Sequence, residues 1–143
     1  PLAGAAIEGI KILLNFVMNG TITGGVGEIA NFLIGCSFVV PAAWIYKKQH
    51  NAKGMLLGMA VGTIVMVALG SVINYFVLLP VYATVFGQPL EAFVQMGNAL
   101  NPAIVNLKTL IAFAVVPFNL VKGIIITALT FLIYRKLGRQ LEK

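Results

Sequence analysis

Val116-Pro117-Phe118-Asn119-Leu120-Val121-Lys122-Gly123 opens the last apolar run of the chain, which continues as Ile124 to Tyr134 and stops at Arg135-Lys136. Residues three apart on a helix share a face, so the Asn119 amide and the Lys122 ammonium project together. The segment around them is fit only for hydrocarbon. Ionisable groups in that setting are costly and by default mark a ligand or ion path. The stretch thus predicts a membrane helix with a polar site built into it.

The remaining composition agrees. Of 143 residues, 59% are hydrophobic and 10% charged, whereas soluble domains carry roughly 45–50% apolar and about 25% charged residues. The fold class is therefore an all-α integral membrane protein, with residues 1–143 read as a single transmembrane domain. A net charge of +6 raises the question of nucleic acid, but no basic stripe with interleaved aromatics is present. The basic residues stand instead at the ends of apolar runs, as membrane orientation requires. The lone cysteine, Cys36, excludes a disulfide within the chain and suits packing as a small hydrophobe. The chain begins at Pro1 rather than at methionine, with no signal-peptide pattern, and the expectation is that the natural N-terminus lies upstream.

Four spans are expected. The first is Pro1 to Met18, with Gly4, Glu8, Lys11 and Asn15 recurring on one face at helical spacing. Glu8 and Lys11 are placed to pair, which lowers the cost of both in a membrane. A structural ion pair and a pocket wall are both open readings of this face, the structural role being favoured for Glu8. A turn-forming loop, residues 19–27, leads to the second span, Glu28 to Tyr46, which carries Asn31 and is expected to kink at Pro41. The loop that follows, Lys47 to Lys53, is basic, and its His50 reads as a solvated residue. The third span runs from Gly54 to about Pro80. Gly54, Gly58 and Gly62 make two overlapping GxxxG repeats, read as close packing within the chain. Tyr82 to Asn106 is then a long connection with a short surface helix at Leu90 to Met96, and Lys108 to Val115 leads into the final span, Val116 to Tyr134.

Lys47, Lys48 and Lys53 fall in one loop, and Arg135, Lys136, Arg139 and Lys143 form the tail. The positive-inside rule puts both in the cytoplasm of a multi-pass cell-membrane protein, C-terminus included. At a rise of about 1.5 Å per residue, Lys122 lies roughly 20 Å and Asn119 roughly 24 Å above Arg135. Asn31 lies about 24 Å above Lys47, Asn74 about 31 Å above Lys53, and Asn15 about 21 Å from Pro1. Polar side chains from all four spans therefore fall in the outer half of a hydrocarbon core about 30 Å thick. A polar pocket open to the outside would place them so.

Amides offer donors and acceptors, and lysine only donors. With Tyr75, Phe76 and Phe118 nearby, and Tyr82 as a further candidate, such a pocket suits a flat, neutral or weakly anionic, multiply hydrogen-bonding molecule. No phosphate loop of the G-x-x-x-x-G-K-[ST] type occurs, nor a Ser/His/Asp or Cys/His set, nor clustered metal ligands. The reading is of a non-enzyme without a cofactor of its own. Uphill movement of a ligand would draw its energy from a partner or an ion gradient.

Four blocks carry a resemblance. They are Gly24-Gly25-Val26-Gly27-Glu28-Ile29-Ala30-Asn31-Phe32-Leu33-Ile34-Gly35, Asn74-Tyr75-Phe76-Val77-Leu78-Leu79-Pro80-Val81-Tyr82, Asn101-Pro102-Ala103-Ile104-Val105 and Pro117-Phe118-Asn119-Leu120-Val121-Lys122-Gly123. In this order, over nearly the whole chain, they resemble the riboflavin-specific S components of energy-coupling factor (ECF) vitamin transporters. The resemblance implies a membrane subunit that captures riboflavin outside the cell. It would deliver the vitamin by ATP-driven reorientation together with a transmembrane coupling protein and two ATPase subunits. By motif it implies that Asn74, Asn119 and Lys122 contact the flavin. It further implies a six-helix fold, of which this chain would be the last four helices. An S component for another vitamin, and a structural subunit whose polar groups only hold helices together, are the alternatives.

Overall fold

The computed structural model describes residues 1–141, and among them the order is α1 (Leu2–Asn19), α2 (Val26–Lys48), α3 (Ala52–Ile73), a π-helical segment (Asn74–Leu78), α4 (Leu79–Phe86), α5 (Leu90–Leu100), α6 (Leu107–Leu110), a second π-helical segment (Ile111–Val115) and α7 (Val116–Leu141). Lys143, counted above with the basic tail, lies outside the described residues. Among the described residues three helices are long and apolar enough to cross a membrane, Val26–Lys48, Ala52–Phe86 and Leu107–Lys136, where four were expected. The first helix, α1, is 18 residues long.

The third and last helices are longer than their prolines suggested, and the π segments are the reason. Inside a helix a proline lacks the N–H for its own bond, and its ring clashes with the carbonyl four residues back. Each π segment ends just ahead of a proline, Pro80 or Pro117. There the Leu79 N–H donates to the carbonyl of Asn74, and the Val116 N–H to that of Ile111, five residues back in each case. The wider turn accommodates the ring and keeps the chain helical, an adjustment familiar in membrane helices. As a result α3, its π segment and α4 form one helix of 35 residues, Ala52–Phe86. The expected connection from Tyr82 to Asn106 is mostly helical as well: α4 continues to Phe86, and the short surface helix extends to Leu100 as α5.

The last helix is started by a reciprocal cap. The Asn106 side chain accepts from the Thr109 N–H at 2.9 Å, and the Thr109 hydroxyl oxygen accepts from the Asn106 N–H at 2.9 Å. Two otherwise orphaned amides are satisfied in this way.

Packing follows the glycine row of α3. A Cβ built on Gly58 would lie 2.6 Å from the Ala42 carbonyl oxygen, and one on Gly62 2.5 Å from that of Phe38. Backbone therefore meets backbone between α2 and α3, as expected of small residues at i, i+4. Around this seam Ile34, Phe38, Ala42, Met55, Met59 and Met66 form a buried core. It is closed at one end by Tyr46 and Tyr134, edge-on with ring centroids 6.1 Å apart. That contact gathers the basic loop and Arg135-Lys136 at the same end of the bundle. There Lys48 sits 3.7 Å from the centre of the Trp44 ring, and exposed His50 packs against Tyr46. Pro41 lies within α2, which runs through it unbroken. A second cluster, Leu79, Ile104, Leu110 and Ile111, packs the opposite end together with Tyr75, Leu90, Phe93 and Val94.

The glycine-rich loop before α2 is a built cap. Gly24 and Gly25 have φ of 62° and 96°, a left-handed region that glycine enters without steric cost. This brings the Thr23 hydroxyl oxygen to accept the buried Gly27 N–H at 2.8 Å. The Glu28 carboxylate accepts from the hydroxyls of Thr21 at 3.1 Å and Thr23 at 3.4 Å. Glu28 thus holds the loop down as well as facing the positive helix end. Replacing Thr23 by alanine should lower stability by about 1 kcal/mol, the usual loss for a removed cap. A thermal melt in detergent checks this; an unchanged midpoint would mean the cap is dispensable.

Candidate functional site

At the end away from the basic loop, α2, the first π segment, α4, the second π segment and α7 enclose a cavity of about 400 Å³. Its lining is Asn31, Ile34, Asn74, Leu78, Tyr82, Ala114, Val115, Phe118, Asn119 and Lys122. The volume falls within the roughly 300–1,000 Å³ of small-molecule sites. A second recess of about 370 Å³, lined by Lys11, Ile12, Asn15, Asn31 and Lys122, shares Asn31 and Lys122 with the first. The two form one cleft with polar groups from four helices.

Asn74 and Asn119 are held by the same device. Asn74 Nδ2 donates to the Gly70 carbonyl at 2.7 Å, and Asn119 Nδ2 donates to the Val115 carbonyl at 2.9 Å. Each carbonyl lies one turn back on the asparagine's own helix. One amide hydrogen is consumed in each case, leaving one N–H and the Oδ1 lone pairs of each side chain to meet a ligand. Asn119 is the more deeply set, 4% exposed, and Lys122 is half-buried on the same face of α7. Phe118 offers a mostly open ring, and Tyr82 an aromatic edge from α4. The arrangement can hydrogen-bond the rim of a flat molecule from several sides while Ile34, Leu78 and Val115 cover an apolar part. No carboxylate is among the lining residues.

The structure distributes the sequence candidates unevenly. Asn31, Asn74, Phe118, Asn119 and Lys122 line the main cavity. Asn15 lines only the adjoining recess. Tyr75 lines neither; it packs against the Leu79–Ile111 cluster, with its ring edge-on to Phe76 at 4.8 Å. Phe76 is turned outward, 68% exposed. Tyr75 points about 100° away from its neighbour Asn74, and that direction leads into the Leu79–Ile111 cluster rather than the cavity. On α1, Glu8 pairs with Lys11 and lies against Gly35 of α2, while Lys11 also reaches the recess. Glu8 thus sits between α1 and α2, whereas Lys11 both pairs with it and lines the recess.

The apolar lining was not singled out in the sequence, though a signal for it exists. Ile34 follows Asn31 by three, Leu78 follows Asn74 by four, Val115 precedes Asn119 by four, and Ala114 precedes Phe118 by four. These spacings share a helix face.

A family profile described as "ECF transporter, substrate-specific component" matches residues 1–134. The riboflavin transporter FmnP of Bacillus subtilis (strain 168) is 38% identical, the match covering 100% of this chain and 70% of that protein. The riboflavin transporter RibU of Staphylococcus aureus (strain TCH60) is 37% identical, over 100% of this chain and 68% of that one. A solved structure, described as the S component of a bacterial ECF transporter, superposes with a TM-score of 0.72 at 34% identity, covering 100% of this chain and 70% of its own. An apolar helix bundle, a cleft lined by amides and one family's pattern over nearly the whole chain lead to one conclusion: this chain belongs to the substrate-specific components of ECF transporters, the non-catalytic subunits that bind the cargo.

Proposed function

We propose that the cargo is riboflavin, held in the cleft by Asn31, Asn74, Asn119 and Lys122, with Phe118 and Tyr82 against the ring system. The observation that carries this reading is the meeting of three amides and one ammonium from three helices in a single cavity. An isoalloxazine ring carries carbonyl and ring-nitrogen acceptors and an imide N–H along one edge, and a methyl-substituted apolar edge opposite. Amides complement the first edge, and Ile34, Leu78 and Val115 suit the second. The relatives FmnP and RibU, riboflavin transporters by name, support the same ligand. Asn15 and Lys11 in the adjoining recess are assigned to the polar tail of the vitamin.

The same proposal includes the setting. With α1 as a fourth span, the basic loop and the end of α7 face the cytoplasm, and the cleft opens towards the outer leaflet. A transmembrane coupling protein and two ATPase subunits then drive reorientation and release, the chain having no nucleotide-binding motif of its own. Riboflavin titrated into purified protein should lose its fluorescence until one flavin is bound per chain. An undiminished signal at saturating protein would remove riboflavin as the ligand.

A further inference from the structure

Gly70 stands between the two site asparagines and touches both. Its carbonyl oxygen accepts the Asn74 Nδ2 hydrogen bond at 2.7 Å. Its missing side chain leaves room for the other amide: a Cβ built on Gly70 would lie 3.3 Å from Asn119 Nδ2, 3.6 Å from Asn119 Cγ and 3.8 Å from Asn119 Oδ1. The residue is buried. Glycine is the poorest helix former after proline, so its use in mid-helix asks for a packing reason.

For Gly58 and Gly62 the reason is the α2 backbone. Gly70 continues their i, i+4 row, interrupted only by Met66, but the row does not run straight. Each step of four residues turns it by about 40° at 3.6 residues per turn. Over the two steps from Gly62 to Gly70 it has rotated by about 80°, away from α2 and onto the Asn119 side chain of α7. Gly70 therefore belongs to the cleft and not to the α2–α3 seam.

We infer that Gly70 is the positioning residue of the binding site, setting the Asn119 amide through the space it leaves and the Asn74 amide through its carbonyl. This deepens the riboflavin reading and rests on it for the ligand. A methyl group at this position would meet Asn119 at a distance tighter than most side-chain contacts, displacing the amide by a few tenths of an ångström. Binding groups must be held to about 0.5 Å of their productive geometry, and a shift of this size uses up most of that margin, so it is felt at the ligand.

The test is a double-mutant cycle, which isolates coupling between neighbours. Gly70→Ala should weaken riboflavin binding about five- to tenfold in the wild-type background. In an Asn119→Ala background the same change should alter affinity by less than about twofold, because the amide to be displaced is gone. An equal loss in both backgrounds, or no loss in the first, would overturn the inference, since a purely structural role predicts independence from Asn119. A ligand-free measurement separates this from the choice of vitamin. In isotope-labelled protein, Gly70→Ala should shift the side-chain amide resonances of Asn74 and Asn119 while sparing those of Asn98 and Asn101. If wild-type protein binds no riboflavin, the ligand assignment fails. Shifted Asn119 and Asn74 signals would then still uphold the role of Gly70, and unshifted ones would refute it.

Discussion

Lys122→Ala is expected to weaken riboflavin binding by about 1.5–3 kcal/mol, the range for hydrogen bonds to charged groups. Lys122 is half-buried on the wall shared by the main cavity and the recess, so a ligand held there as proposed would meet its ammonium partly shielded from water. Removing it also leaves the ligand acceptor it served without a partner, and that penalty falls on the bound state alone. Asn119→Ala should lose about 1–3 kcal/mol for the same reason, as its amide is almost fully buried. Titration calorimetry on both variants checks these values. Unchanged affinity in the two would show that the ligand sits elsewhere and that the polar groups serve only to join helices.

Gly62→Ala should destabilise the bundle by about 1–3 kcal/mol, the usual penalty for an overpacked core. The new methyl group would meet the Phe38 backbone oxygen at 2.5 Å, and a carbonyl in a helix cannot swing aside as a side chain can. Relief would require α2 and α3 to separate, loosening Phe38 and Met66 in the core between them. The midpoint of thermal unfolding in detergent reports the effect. A melt matching the parent protein would mean that the seam is looser than its geometry. Gly62 faces α2 and Gly70 faces Asn119, so the two alanine variants should part company: the first lowers stability, the second lowers affinity.

What the sequence settled by itself was much of what depends on one helix at a time. Apolar runs with charged ends made helices long and apolar enough to span a membrane, and the spacing of Asn119 and Lys122 put them on one face. Those quantities need only helix geometry and the thickness of a bilayer. What the sequence left open was where one helix faces another. The sequence alone places Tyr75 near the polar groups, yet packing sends it into the Leu79–Ile111 cluster. The sequence alone ends the third span at about Pro80, yet the π turn before it carries the helix on to Phe86. That turn also resets the phase. Asn74 and Tyr82 would point about 80° apart on a regular helix, but with the wider turn between them they line the same cavity. The reason is physical. A helix's own hydrogen bonds set its rise and period, whereas its rotation about its axis is decided by which side chains and glycines fit the neighbouring backbone.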